Sequence, residues 1–338
     1  MSSFFRGKYG PLLIAEIGGN HEGDFEYAKK LCQLAIDSKA DYVKFQIYTG
    51  NTLVSPVESP DRNKHFKKFE LTKEQHIELA EMTIQAGRRY AASVWDPEIL
   101  DWIDPYMDFY KIGSGDLTAY PVIAAIAKRN KPIIISTGLA TEQEVLDAVK
   151  FIQQCNGIYR DANNLAILQC TSMYPIEYGD ANLNVMLRLR ERTGLSVGYS
   201  DHTTDSRALC YAYAMGAEVL EFHFTDTREG KQFRDHKVSL TKDDVHALID
   251  ELEIIRQLKG DFEKKPTAIE LENNHVVSFR RAAYFNKDVN EGHIVREEDL
   301  VYLRPNVGTD ARHFASLIGK TVARPIKAYA GFSEQDLR

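Results

Sequence analysis

Five side chains able to carry charge or bind a metal each lie at or near the end of a short apolar run: Glu16 in LLIAE, Lys44 in YVKFQ, Lys111 in FYKIGS, His202 in LSVGYSDH and His223 in EVLEFH. Three more runs, YAAS, PIIIST and LAILQCTS, end on hydroxyl side chains: Ser93, Ser136 with Thr137, and Thr171 with Ser172. Two imidazoles at the ends of successive runs suit a divalent metal and leave positions open for substrate and water. One such histidine alone is more often a hydrogen-bonded polar residue; the pair, with Ser200 and Glu221 beside it, favours a metal. Lys44 and Lys111 have three readings: a salt bridge, a Schiff base, or capture of phosphate and carboxylate. The KIGSG context favours anion capture, because its glycines let backbone N–H groups approach and Ser114 adds a hydroxyl. Ser93, Ser136 and Ser200 would complete a ring of neutral donors. Glu16 reads equally as a proton carrier or as a fixed counter-ion. His21 and Glu22, in GGNHEG, suit a turn as well as catalysis.

Eight such runs alternate with helical patterns, which predicts a parallel sheet closed into a (β/α)8 TIM barrel with its site at the carboxyl ends of the strands. The segment 25–40 has helical periodicity behind Asp24 as N-cap. Capping boxes are expected at Thr72 with Gln75, Thr141 with Glu144, and Thr241 with Asp244. The last of these helices stops at Gly260 and would close the barrel. The longest irregular connection runs from Thr49 to Glu70, where a lid or specificity loop is expected. A chain of 338 residues exceeds the roughly 250 of one barrel. We therefore expect a catalytic domain over 1–260, a polar linker over 261–277, and a small domain of short strands and turns over 278–338.

Hydrophobic content of 43% and charged content of 27% are those of a globular protein. No apolar run reaches the roughly 18 residues of a membrane span, and the first residues lack a signal-peptide core, so a cytoplasmic location is expected. A net charge of −7 without a basic stripe argues against nucleic acid. Local lysines still focus field on a small anion. Cys32, Cys155 and Cys210 fall in helical patterns and are expected to be buried free thiols. Cys170, beside Thr171, is expected to line the site without acting as a nucleophile.

The ordered motifs AEIGGNHEGD, VKFQ, YKIGSGD, PIIISTG, CTSMYP, GYSDHT, LEFHFT and RDHKVSL, followed by LRPNVGT, resemble the sialic acid synthase family along almost the whole chain. The C-terminal part looks like that family's antifreeze-like (SAF) domain. The resemblance implies condensation of phosphoenolpyruvate with an N-acylated hexosamine, N-acetylmannosamine or a diamino relative, to a 3-deoxy-2-keto nine-carbon acid and phosphate. It implies that His202 and His223 hold Mn²⁺, Co²⁺ or Mg²⁺, and that Lys44, Ser93, Lys111, Ser114, Ser136, Ser172 and Ser200 hold phosphoenolpyruvate. Gln46, Tyr174, Glu221 and Asp235 would face the acceptor sugar, and Glu16 would handle a proton. Arg304 would enter the site from a partner's C-terminal domain, which implies a domain-swapped homodimer. Phe45, Ser172 and Gln169 depart from the histidine, asparagine and histidine frequent in bacterial N-acetylneuraminate synthases, which is compatible with a modified sugar. The rivals are a Schiff-base aldolase on the same barrel and a non-catalytic barrel whose C-terminal domain binds ice or glycan.

Overall fold

The computed structural model describes residues 4–338. Strands β2 (Gly10–Glu16), β3 (Tyr42–Ile47), β4 (Arg89–Val94), β5 (Tyr110–Ile112), β6 (Ile133–Ser136), β7 (Leu165–Cys170), β8 (Ser196–Asp201) and β9 (Val219–His223) pair in parallel in chain order. β9 returns to pair with β2, from Leu12↔Val219 to Glu16↔His223, so the eight strands form a closed barrel. A two-residue strand, β1 (Arg6–Gly7), runs antiparallel to the start of β2.

The crossovers carry α1 (Phe25–Asp37), α2 (Gly50–Leu53), α3 (Pro60–Phe69), α4 (Lys73–Gln85), α5 (Leu100–Ile103), α6 (Tyr120–Ala127), α7 (Glu142–Cys155), α8 (Asn184–Thr193), α9 (Arg207–Ala214) and α10 (Lys242–Lys259). The Asp24 side chain accepts from the Tyr27 N–H, and reciprocal capping boxes open α4, α7 and α10 at Thr72, Thr141 and Thr241. Each cap satisfies N–H groups that the first helical turn leaves without partners. Among the described residues no helix is long and apolar enough to cross a membrane.

Strand alternation builds two layers inside the barrel. Leu12, Ile14, Tyr42, Ala91, Phe109, Ile134, Ala166, Leu168 and Val219 pack as one buried cluster. Burying each large member contributes roughly 1.5–3 kcal/mol. Two residues further along the same strands stand Glu16, Lys44, Ser93, Lys111, Ser136, Cys170 and Glu221, on the same side because side chains alternate with a period of two. The apolar layer is therefore a floor beneath a polar one. Gly198 belongs to that floor: a Cβ there would come 2.2 Å from the Val219 carbonyl oxygen and 2.7 Å from Leu168 Cδ2.

Two expectations are corrected. The segment 49–70 is not irregular: α2 and α3 occupy most of it. Helix formation there is supported by Thr49 capping Thr52 and by Pro60 at the first position of α3. Cys155 is exposed at the last residue of α7, whereas Cys32, Cys170 and Cys210 are buried free thiols. The apolar stripe of α7 runs through Val145, Ala148, Val149 and Ile152, and position 155 falls beyond its last buried turn.

Packing divides the chain after Gly260, and residues 261–338 form a second unit. It carries α11 (Ala268–Glu272), α12 (His275–Ser278) and an antiparallel pair, β10 (Ala282–Phe285) with β11 (Leu300–Leu303). Its own core includes Phe285, Val295, Leu317, Val322 and Phe332.

Candidate active site

The carboxyl ends of the strands open into a cavity of about 1110 Å³. Its floor is set by strand register: Glu16 lies opposite both Lys44 and His223, Gln46 opposite Ser93, Ser93 opposite Lys111, and Ser200 opposite Cys170 and Glu221. Lys44 and Lys111 are each only 2% exposed. Lys44 is ion-paired with Glu16 and lies 4.0 Å from Glu221, which is 3.5 Å from the Lys111 ammonium. Lys111 Nζ donates to Ser136 Oγ at 2.6 Å, and Ser200 Oγ donates to Glu221 Oε1 at 3.2 Å. Two buried ammonium groups are thus compensated by two buried carboxylates, as low-dielectric surroundings require. Burial pulls the Lys44 ammonium down to about 7, with Glu221 opposing and Lys111 reinforcing the fall. Burial acts to raise the Glu221 carboxyl, but Lys111 and Lys44 outweigh it and hold the group below its ordinary range.

Beside this layer stand the two imidazoles, with ring centroids 5.3 Å apart. Burial lowers both, His223 well below 6.5 with His202 and Lys44 adding to the effect, so both are neutral. His202 Nδ1 lies 2.6 Å from the Thr171 carbonyl oxygen. A carbonyl only accepts, so Nδ1 carries the proton and Nε2 keeps its lone pair. His223 Nδ1 is buried without a hydrogen-bond partner and lies 4.0 Å from Asp235 Oδ2. Among the described residues no group of three or more His, Cys, Asp or Glu has an arrangement able to hold a metal.

The Tyr174 ring lies 4.0 Å from His202 and 5.4 Å from His223, centroid to centroid, and the Arg234 guanidinium sits 4.8 Å over it. Asp235, buried and raised by that burial, accepts from Arg234 Nε at 3.3 Å. The turn bearing Asp235 is held by Ser239 Oγ donating to the Asp235 carbonyl at 2.7 Å. Asn20, in the GGNHEG turn, donates in turn to Ser239 Oγ and to the Phe224 carbonyl. His21 Nδ1 accepts from the Gly23 N–H at 3.1 Å, which is the turn-forming role. Gly138 sits between two hydroxyls of the cavity wall: a Cβ there would fall 2.2 Å from Ser172 Oγ and 2.9 Å from Ser114 Oγ.

The cavity thus gathers Glu16, Lys44, Gln46, Ser93, Lys111, Ser114, Ser136, Ser172, Tyr174, Ser200, His202, Glu221, His223 and Asp235, together with Cys170. Arg304 belongs to the second unit, where it is exposed just after β11 with its guanidinium 5.3 Å from the Phe279 ring. Sequence reasoning missed the aromatic residues at the mouth, among them His65, Phe66, Phe69 and Phe233. For the first three the signal was the HFKKF stretch, whose i, i+1, i+4 spacing gives one helical face once the segment is read as a helix.

The sequence pattern of the NeuB family matches residues 31–264, and that of the SAF domain matches residues 280–338. The chain is 33% identical to the N,N'-diacetyllegionaminic acid synthase of Campylobacter jejuni, over 94% of this chain and 97% of that one. It is 31% identical to a pseudaminic acid synthase of the same species, with 96% of each chain covered. Among solved structures, the N-acetylneuraminic acid synthetase of Leptospira borgpetersenii, in complex with citrate, superposes with a TM-score of 0.71 at 28% identity, covering 78% of this chain and 90% of the other.

Proposed function

Because the chain belongs to the NeuB family and carries a SAF domain at its C-terminal end, we propose that it is a phosphoenolpyruvate-dependent nonulosonic acid synthase. The observation that carries this reading is the strand-end layer, in which two buried lysines stand beside a pair of neutral imidazoles. Phosphoenolpyruvate brings a carboxylate and a phosphate, and both need compensating cations once water is excluded. Lys44 and Lys111 supply them, with hydroxyls from Ser93, Ser114, Ser136, Ser172 and Ser200 completing the cradle. Gly138 lets the Ser114 and Ser172 hydroxyls close against the cavity wall, where a side chain would displace them.

Carbon 3 of phosphoenolpyruvate bonds to the aldehyde carbon of the open-chain sugar, whose oxygen gains a proton. Water adds to the electron-poor carbon 2 and loses a proton, and the adduct expels inorganic phosphate to leave the 2-keto acid. Glu16, ion-paired with Lys44 and opposite His223 in the sheet, is the group that handles this proton. Gln46, Tyr174, Glu221 and Asp235 position the acceptor. His202, through its free Nε2, and His223, whose buried nitrogen lacks a partner, would hold a divalent ion such as Mn²⁺, Co²⁺ or Mg²⁺. Such an ion supplies Lewis acidity for the aldehyde oxygen. Arg304 of one subunit completes the acceptor site of the other in a domain-swapped homodimer.

One observation favours a second reading: an amine pulled to about 7 is suited to Schiff-base chemistry. The Glu16 carboxylate ion-paired with it favours the protonated, non-nucleophilic amine, so the condensation reading stands. The two separate cleanly when the enzyme is treated with borohydride in the presence of both substrates. We expect no covalent adduct at Lys44 or Lys111 by mass spectrometry, and phosphate labelled with ¹⁸O when the bridging oxygen of phosphoenolpyruvate carries that label. A trapped lysine adduct, or unlabelled phosphate, would overturn the mechanism.

A further inference from the structure

Glu22 and His236 perform no step of the condensation, and neither lines the cavity. Both nevertheless bear on the connection that carries Asp235, which leaves β9 after His223 and enters α10 at Lys242. Near its ends the Thr225 N–H donates to the Leu240 carbonyl at 3.0 Å, and the Leu240 N–H donates to the His223 carbonyl at 2.7 Å. Between these points Asp235 stands on the 3₁₀ turn Arg234–Val238, whose 5 residues are too few to fix a carboxylate by themselves.

His236 follows Asp235 directly and is fully buried. Both ring nitrogens are engaged: Nε2 lies 3.3 Å from Glu22 Oε1, and Nδ1 lies 2.7 Å from Thr225 Oγ1. Burial lowers its pKa, so the ring is neutral and carries one proton. A carboxylate only accepts, so that proton is on Nε2, and Nδ1 accepts from the Thr225 hydroxyl. The imidazole thereby bridges the residue just past β9 and the turn that follows β2. Glu22 makes its half of the bridge from a left-handed backbone with φ of 52°, which a glutamate adopts only against strain.

Other groups of the same region hold the connection as well. Asn20 donates to Ser239 Oγ and to the Phe224 carbonyl, and Ser239 donates to the Asp235 carbonyl. On the outer side, Tyr27 of α1 donates to Asp226 Oδ1 at 2.6 Å and Lys30 to Asp226 Oδ2 at 2.8 Å. Strand order explains why these partners meet: β2 and β9 pair in the closed barrel, so the turn after one lies beside the connection after the other. A carboxylate at a site is only as well placed as the groups that support it.

On the condensation reading above, on which this inference rests, we propose that Glu22 and His236 are positioning residues for the acceptor sugar. Their buried hydrogen bond sets where Asp235 stands in the cavity, and neither group touches a reacting atom.

The test is a double-variant cycle on the full-length enzyme with Mn²⁺, phosphoenolpyruvate and either N-acetylmannosamine or a 2,4-diacetamido-trideoxy hexose, whichever the wild type turns over faster. A hydrogen bond to a charged group corresponds to roughly ten- to hundredfold in an equilibrium constant. Glu22→Ala and His236→Phe should therefore each raise KM for the sugar at least about tenfold, while KM for phosphoenolpyruvate stays as it was. Because both break one link, the double variant should be no worse than the worse single. His236→Gln, which keeps a donor within reach of Glu22, should recover most of the loss. Glu22 is only half-buried, so its variant decides the matter even where His236→Phe does not fold. A sugar KM unmoved by Glu22→Ala, equal rises in both KM values, or losses that multiply in the double variant would overturn this inference and leave the condensation intact. Absence of phosphate release by the wild type with both sugars would instead overturn the condensation reading, and the inference with it.

Discussion

At the scale of single residues, the histidines divide by what burial does to them. His21 and His76 are buried, and burial pulls them from 6.5 to about 4 and about 3. The unfolded chain takes a proton on each near pH 6.5, but the native chain does not until those lower values. Stability is therefore full above pH 6.5 and is lost as pH falls from there toward 4. At pH 5 the loss is about 2 kcal/mol for each of the two. Urea unfolding at pH 7 and pH 5 should show the midpoint falling. His76→Phe, which suits the neighbouring rings of Phe45 and Trp102, should remove its own share of the drop, about 2 kcal/mol at pH 5. An unchanged midpoint in the wild-type chain would contradict this account. The strand-end residues were legible because a polar residue ending a β-rich run is costly unless it faces a cavity. The state of each, such as the His202 proton fixed by the Thr171 carbonyl, was not, since it depends on a partner 31 residues away.

At the scale of elements, capping boxes and strand alternation announced α4, α7, α10 and the barrel strands directly. Segment 49–70 was misread for a physical reason. α2 is a single turn and α3 is strongly polar, with Phe66 and Phe69 as its apolar positions, so periodicity gives little signal. What holds the segment is tertiary: the Asn63 carboxamide bonded to two carbonyls across α2. Asn63→Ala leaves both without that partner, which should cost about 1–3 kcal/mol. The same change should raise KM for the acceptor sugar and leave KM for phosphoenolpyruvate as it was, since the lysine cradle lies on the strands. Thermal melting and steady-state kinetics check both parts, and equal changes in the two KM values would contradict the role given to this segment.

At the scale of the whole molecule, the closed parallel barrel and the division near Gly260 follow from eight strand–helix repeats and a change of pattern beyond them. The short helices α11 and α12 were not visible as such, because five- and four-residue helices carry too few positions to show a periodicity. The proposed exchange of Arg304 between subunits has a direct consequence. His223→Ala and Arg304→Ala should each abolish turnover, yet co-expression of the two should restore about a quarter of wild-type activity, because half the dimers would hold one complete site of two. Recovery of none would place each Arg304 with its own barrel, and full activity of Arg304→Ala would remove it from the site. The central claim is tested most directly by measuring inorganic phosphate released from phosphoenolpyruvate with Mn²⁺ and an N-acylated hexosamine, with and without a chelator. Release that needs both the sugar and the metal is the result predicted; release that persists in the chelator, or none with any acceptor, would contradict it.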